Sequence, residues 1–169
     1  MLENIRFALI VTSDRAADGR RADATAPRLK TVIEQARGIC ADTIVIPDDP
    51  DRLRDQLLRL SNRAETDVIL TSGGTGIGPR DITVDVTRAL IEKELPGFGE
   101  EMRRRSLEMT PYALLSRATA GTLRGKLVLN LPGSPQGAVE CLEWVMRPIA
   151  HAVRILRQLD TDCAPPPGT

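Results

Sequence analysis

The sequence predicts an α/β fold, with a largely parallel sheet held between helical layers. Two observations carry that expectation. Short, nearly continuous apolar runs recur along the chain, as strands covered on both faces require. Between them lie segments with apolar residues at i, i+3, i+4 and i+7, the spacing of one buried helix face. Strands that alternate with such helices build parallel sheets.

The first run, Phe7 to Val11, ends in Thr12-Ser13-Asp14 and reads as a buried strand. From about Thr25 to Arg37, Leu29, Val32, Ile33 and Ala36 share one helix face, and Gly38 follows as a stop. Thr43 to Ile46 is expected as the second strand. Asp49-Pro50 reads as a cap and first-turn proline, opening a helix with Leu53, Leu57 and Leu60 inward. Val68 to Thr71 is the third strand, and a glycine-rich loop, Ser72 to Gly78, follows it. Helical spacing returns at Val84 to Lys93 and at about Gly99 to Glu108. Ala118 to Leu131 reads as two strands about the turn Arg124-Gly125. Ser134-Pro135 opens a helix with Cys141, Leu142, Val145 and Met146 on one face. Pro148 either interrupts it or begins a new helix carrying Val153, Ile155, Leu156 and Leu159. The expected organisation is one domain over residues 1–160 and a disordered tail over 161–169, where three prolines are consecutive.

The composition, 169 residues with 41% apolar and 27% charged, suits one ordinary core. Lys+Arg and Asp+Glu balance at 23 each, and the only aromatic residues are Phe7, Phe98, Tyr112 and Trp144. That leaves neither a cationic field nor a stacking platform, so no nucleic-acid partner is expected. No stretch is long enough to cross a membrane, and the N-terminal run lacks a cleavage pattern. Cys40, Cys141 and Cys163 lie far apart and one His is present, too little for a zinc site. A cytoplasmic protein with reduced thiols is the expectation.

In sheets of this type, ligands bind beyond the carboxyl ends of the strands. That rule selects Ser13-Asp14, Asp48-Asp49, the Gly73 loop and Pro132-Gly133-Ser134-Pro135, all expected on one rim. In Thr71-Ser72-Gly73-Gly74-Thr75-Gly76, glycines expose backbone N–H groups and the hydroxyls add donors, which suits a polyphosphate. No Lys-Ser/Thr follows, so it is not a Walker loop, nor is it GxGxxG. A plain strand-to-helix turn weighs about equally for the glycines alone. Phosphoryl or nucleotidyl transfer needs a hard cation, and Asp48 and Asp81 are the carboxylates placed to hold Mg²⁺. Asp49 is better explained as a helix cap. Asp81 could also cap the helix near Thr83, but Thr83 can do so itself, which leaves Asp81 for chemistry. Ser134 as a cap before Pro135 weighs as much as a ligand cradle at that corner. Arg103-Arg104-Arg105 reads as a solvated helix face and His151 as structural.

These pieces occur together in one family. The chain resembles the molybdopterin adenylyltransferases, relatives of the G domain of gephyrin, from Arg6 to about Leu159. The match rests on Ser13-Asp14-Arg15, Ile46-Pro47-Asp48, Thr71 to Gly76 with Pro79-Arg80-Asp81, Glu94 to Glu100, Leu115-Ser116-Arg117 and Asn130 to Pro135. The resemblance implies a three-layer α/β/α domain with a mostly parallel central sheet, usually trimeric. It implies binding of molybdopterin and Mg-ATP, AMP transfer to the pterin's terminal phosphate, and release of pyrophosphate. A molybdate insertase partner is a further expectation. By position, Asp48 and Asp81 match the family's catalytic and metal-handling acids. Ser13, Asp14, Ser72, Gly73, Gly74, Thr75 and Gly76 are expected at the nucleotide, and Ser116, Pro132, Gly133 and Ser134 at the pterin. The chain departs from the family where a Thr-Pro-acidic turn is common: here Thr83-Val84-Asp85 stands. Molybdate insertion, a non-catalytic pterin carrier and a competence-damage-type nucleotide hydrolase are the competing readings. The carboxylates and the intact glycine loop argue against the carrier, the chain length against the insertase. Pro79-Arg80-Asp81 and Pro96-Gly97-Phe98-Gly99-Glu100 argue against the hydrolase.

Overall fold

The computed structural model describes residues 1–159, so the tail expected at 161–169 lies outside the described residues. In chain order the elements are β1 (Arg6–Thr12), α1 (Asp14–Ala17), α2 (Thr25–Gln35), β2 (Ile39–Ile46), α3 (Pro50–Ser61), β3 (Val68–Ser72) and α4 (Thr83–Leu90). Then come β4 (Lys93–Glu94), α5 (Pro96–Leu107), a 3₁₀ turn (Pro111–Leu115), β5 (Ala120–Leu123), β6 (Lys126–Leu131) and α6 (Pro135–Leu156).

The six strands form one sheet in the order β2-β1-β3-β6-β5-β4. The first four run parallel and β5 and β4 pair antiparallel at the far edge. Alternate residues of a strand face opposite sides, and β1 shows what this does. Phe7, Leu9 and Val11 join the core under α2, α5 and α6, while Ala8 and Ile10 join the core under α3. Both faces are therefore covered, and the buried strands read as unbroken apolar runs for that reason. Fully burying Leu53, Leu57 and Leu60 of α3 contributes about 1.5–3 kcal/mol each.

The structure departs from the sequence expectations at three places. β2 starts at Ile39, four residues before the expected Thr43, because it is an edge strand whose residues alternate between half-buried and exposed. Helix α4 stops at Leu90 and does not run to Lys93. The Glu92 N–H donates to the Thr122 carbonyl (2.7 Å) and the Leu95 N–H to that of Ala120 (2.8 Å), so strand pairing takes the chain out of the helix. Pro96 at the first helical position then starts α5 earlier than expected. Finally, α6 runs unbroken through Pro148. The proline costs one backbone hydrogen bond, and burial of Leu142, Val145 and Met146 before it and Ile149 and Val153 after it holds both halves to the sheet.

Candidate active site

The parallel strands end on one rim, and their last residues are tied to one another. The Ser13 N–H donates to the Ile46 carbonyl (2.9 Å), and the Ser13 hydroxyl accepts from the Ala16 N–H, capping α1. Asp14 and Asp48 bond reciprocally: each backbone N–H donates to the other's carboxylate, at 3.2 and 3.0 Å. The second Asp14 oxygen accepts from Arg80 Nη2 at 2.5 Å. Burial pushes the Asp48 carboxyl above its ordinary value; the Asp14 amide and Arg80 pull it down, and the charges of Asp14 and Asp81 add to the rise.

The glycine loop fits into that rim by close approach. Gly73 has φ of 106°, and a Cβ there would run into the carbonyl oxygen of Thr12. No L residue takes both the dihedral and the space without strain. The Ser72 hydroxyl donates to the Pro132 carbonyl (2.8 Å), and a Cβ on Gly133 would lie 3.2 Å from the Gly73 Cα. The ends of β1, β3 and β6 therefore interlock. Behind them, buried Asn130 donates from Nδ2 to the hydroxyls of Thr71 and Thr87, both at 2.9 Å.

The expected cap on α4 is not there. Ile82 occupies the N-cap position and offers no side-chain bond. The Thr83 hydroxyl instead meets that of Thr12 at 3.3 Å. The Asp81 carboxylate turns back to accept from the Gly78 N–H at 2.7 Å. Neither residue is used as a cap, because Thr12 takes the Thr83 hydroxyl and the glycine loop takes the Asp81 carboxylate.

Two cavities of about 490 Å³ each open on either side of this loop. One is charged and lined by Ser13, Asp14, Asp48, Arg80 and Asp81, with Ser72, Gly73 and Gly74 as its floor. The other is mostly apolar, with walls from Met102, Ala113 and Leu115 and a polar edge from Ser116, Ser134 and Gln136. Two groups of expected residues divide differently from the sequence reading. Thr75 and Gly76 line the apolar cavity and not the charged one, whereas Gly133 lines the charged cavity. The Thr83 N–H donates to the Gly74 carbonyl (3.1 Å), and past that bond the chain crosses from one cavity to the other. Ser116, Pro132 and Ser134 stand together at the apolar cavity.

Arg103 is not the solvated residue its triplet predicted. It is half-buried and donates to the carbonyls of Ser116 (3.3 Å) and Ala118 (2.8 Å). Arg104 and Arg105 pair with Glu101, as a solvated face would. Arg117 was legible only as part of a motif; in the fold its side chain reaches Gly76, Asp81 and Asp85. Cys141 lines the apolar cavity, where burial pushes its thiol up to about 11. No group of three or more His, Cys, Asp or Glu side chains gathers as a metal cage among the described residues. Asp48 and Asp81 do border the same charged cavity. Two hard carboxylates fit a Mg²⁺ ion that takes its other ligands from phosphate oxygens and water. Among the described residues no helix is long and apolar enough to cross a membrane.

The chain and its fold are similar to known proteins. Residues 8–152 match the family model described as a probable molybdopterin binding domain. The molybdopterin adenylyltransferase of Helicobacter pylori is 34% identical over 157 residues, covering 92% of this chain and 89% of its own. The molybdenum cofactor synthesis protein cinnamon of Drosophila melanogaster is 36% identical over 159 residues, and this chain spans 26% of that longer protein. The solved structure of the molybdopterin biosynthesis enzyme MoaB from Thermus thermophilus superposes with a TM-score of 0.85 at 39% identity, covering 91% of this chain and 97% of that one. With its fold, its two cavities and these relatives taken together, the chain belongs to the molybdopterin adenylyltransferase family of molybdenum-cofactor biosynthesis.

Proposed function

We propose that the chain transfers AMP from Mg-ATP to the terminal phosphate of molybdopterin and releases pyrophosphate. The observation that carries this reading is the pair of cavities, matched in size and opposite in character, on either side of one glycine loop. A charged site bordered by carboxylates, an arginine and bare backbone suits a metal-bound triphosphate. An apolar site with a polar edge suits a flat heterocycle carrying a few hydrogen-bonding groups.

Asp48 and Asp81 would hold Mg²⁺, which when bound neutralises phosphate charge. The rest falls to the chain itself. Gly73 and Gly74 leave the floor free of side chains, so a triphosphate can lie against the backbone. Arg80, which pairs with Asp14, can swing to phosphate oxygens. Ser116, Thr75 and the Pro132 corner orient the pterin so that its phosphate faces the α-phosphorus across the loop. A pterin phosphate oxygen forms the new bond to that phosphorus, and the bond to the bridging β-phosphate oxygen breaks. Apolar walls keep water from competing for the same phosphorus.

Incubation with molybdopterin, ATP and Mg²⁺, followed by mass detection, should give an adenylylated pterin and one equivalent of pyrophosphate. Failure to form it with both ligands bound would overturn the proposal. The same reading takes the chain to be a cytoplasmic homotrimer that hands its product to a molybdate insertase. Exposed Tyr112 and Leu114 on the 3₁₀ turn support an assembly. Sedimentation showing monomer alone at micromolar protein would remove the trimer.

A further inference from the structure

Arg117 lines neither cavity, yet it holds the segment that passes between them. Its backbone N–H donates to the Thr75 carbonyl at 2.9 Å. Its Nε donates to the Gly76 carbonyl at 2.7 Å, and Nη2 to the Asp81 carbonyl at 2.6 Å. Both terminal nitrogens then close on the Asp85 carboxylate in the first turn of α4, at 2.8 and 3.1 Å. Six bonds from one residue thus fix both ends of the crossing and the helix that follows. An arginine alone can do this, since its planar fork serves several acceptors at fixed angles.

The neighbour on the other side completes the arrangement. Ser116 edges the apolar cavity, and its carbonyl accepts from Arg103. Asp81 borders the charged cavity and carries its carboxylate on the same short loop that Arg117 grips by the backbone. A shift of Ser116 on loading the apolar cavity would therefore reach Asp81 through the neighbouring Arg117 side chain. Asp85 keeps the fork oriented; its pairing with Arg117 holds its carboxyl below the usual range.

We propose that Arg117 is a positioning residue that couples the two cavities, holding the Asp81 loop in register with whatever sits against Ser116. The proposal rests on the two-substrate reading above. It predicts a specific kinetic pattern. Ligands touch other residues, so affinity should survive loss of the clamp, while alignment across the loop should not.

The test compares wild type with Arg117→Gln, Arg117→Lys and Asp85→Asn. Arg117→Gln should lower kcat about tenfold or more while each KM stays within about threefold, the signature of lost alignment. Arg117→Lys should recover little, because an ammonium cannot serve all these acceptors. Asp85→Asn, which keeps the arginine and the loop, should lie in between, and the double variant should be no worse than Arg117→Gln alone. Should Arg117→Gln not fold, Asp85→Asn carries the comparison. Amide exchange supplies a readout independent of turnover: residues 76–81 should exchange faster in the variants while β3 does not change. Wild-type kcat in the variants, or a loss confined to KM, would overturn the coupling. A wild-type chain that makes no adenylylated pterin would instead overturn the proposed function and the catalytic half of this inference. The exchange result then decides the clamp by itself.

Discussion

The two cavities lie on either side of one glycine loop but are built by different means. The charged one is assembled from strand ends, where the direction of the sheet fixes each residue: Asp14 after β1, Asp48 after β2, Gly73 after β3, Gly133 after β6. The apolar one is walled by α5, the 3₁₀ turn and α6, whose placement depends on how helices pack over the sheet. On the proposed reading, chemistry that needs fixed charges sits on the rigid side, and shape recognition sits on the side that can vary. The lesson is that sheet topology sets the reaction and helix packing sets the molecule it acts on.

That division can be broken most strongly at the glycine loop between the cavities. Gly73→Ala forces a Cβ against the Thr12 carbonyl at positive φ and should cost about 3–5 kcal/mol by urea unfolding. Any folded fraction should lose both ligands together, because Gly73 packs on the Gly133 turn whose neighbours Pro132 and Ser134 line the apolar cavity; loss of one ligand alone would mean the disturbance does not cross the loop. Asp81→Asn should act on the charged side only. Its amide oxygen can still accept from Gly78, so the loop keeps its shape. Turnover should nevertheless fall by about two orders of magnitude, about 3 kcal/mol of transition-state stabilisation, with pterin binding unchanged in titration calorimetry. Near wild-type turnover would remove Asp81 from the mechanism.

Ser116→Ala should act on the other side, weakening the pterin by about 0.5–1.5 kcal/mol while nucleotide affinity stays within error. Equal losses would erase the distinction between the cavities. The smallest effect is on stability at Asp48. A carboxyl whose folded pKa is raised binds its proton more tightly in the folded state, so stability falls as pH rises from the unfolded value through the raised one. Asp48→Asn should therefore raise the urea midpoint slightly at pH 7 and leave it unchanged at about pH 3, while abolishing activity. A lower midpoint at pH 7 would mean the charge is compensated.

The charged side was legible in the sequence because position in a parallel sheet follows from chain order alone. An apolar run that ends in Ser13-Asp14 has nowhere to put those residues except the rim. On the apolar side the strand-end rule reached the Pro132 to Pro135 corner, while Ser116 entered only through resemblance, since nothing local marks it as a neighbour of Pro132. Arg103 and Arg117 escaped because an arginine's role depends on which carbonyls lie within reach, and those belong to residues far along the chain. Asp81 and Thr83 were weighed as caps from local spacing; the Gly78 N–H three residues earlier takes the Asp81 carboxylate and the distant Thr12 takes the Thr83 hydroxyl. The long α6 was left in two alternatives because a proline's local cost is readable while the packing that offsets it is not.

Gly133 and Gly73 approach so closely that neither loop has room of its own. Two turns in van der Waals contact at their backbones cannot lengthen separately, so an insertion in one displaces the other. Variation that changes the substrate must accumulate elsewhere: in the stretch from Arg15 to Thr25 that rims the charged cavity, and from Leu107 to Leu115 beside the apolar one. A directed-evolution library would recover altered nucleotide or pterin preference from those two margins, and almost only inactive clones from the hinge between them.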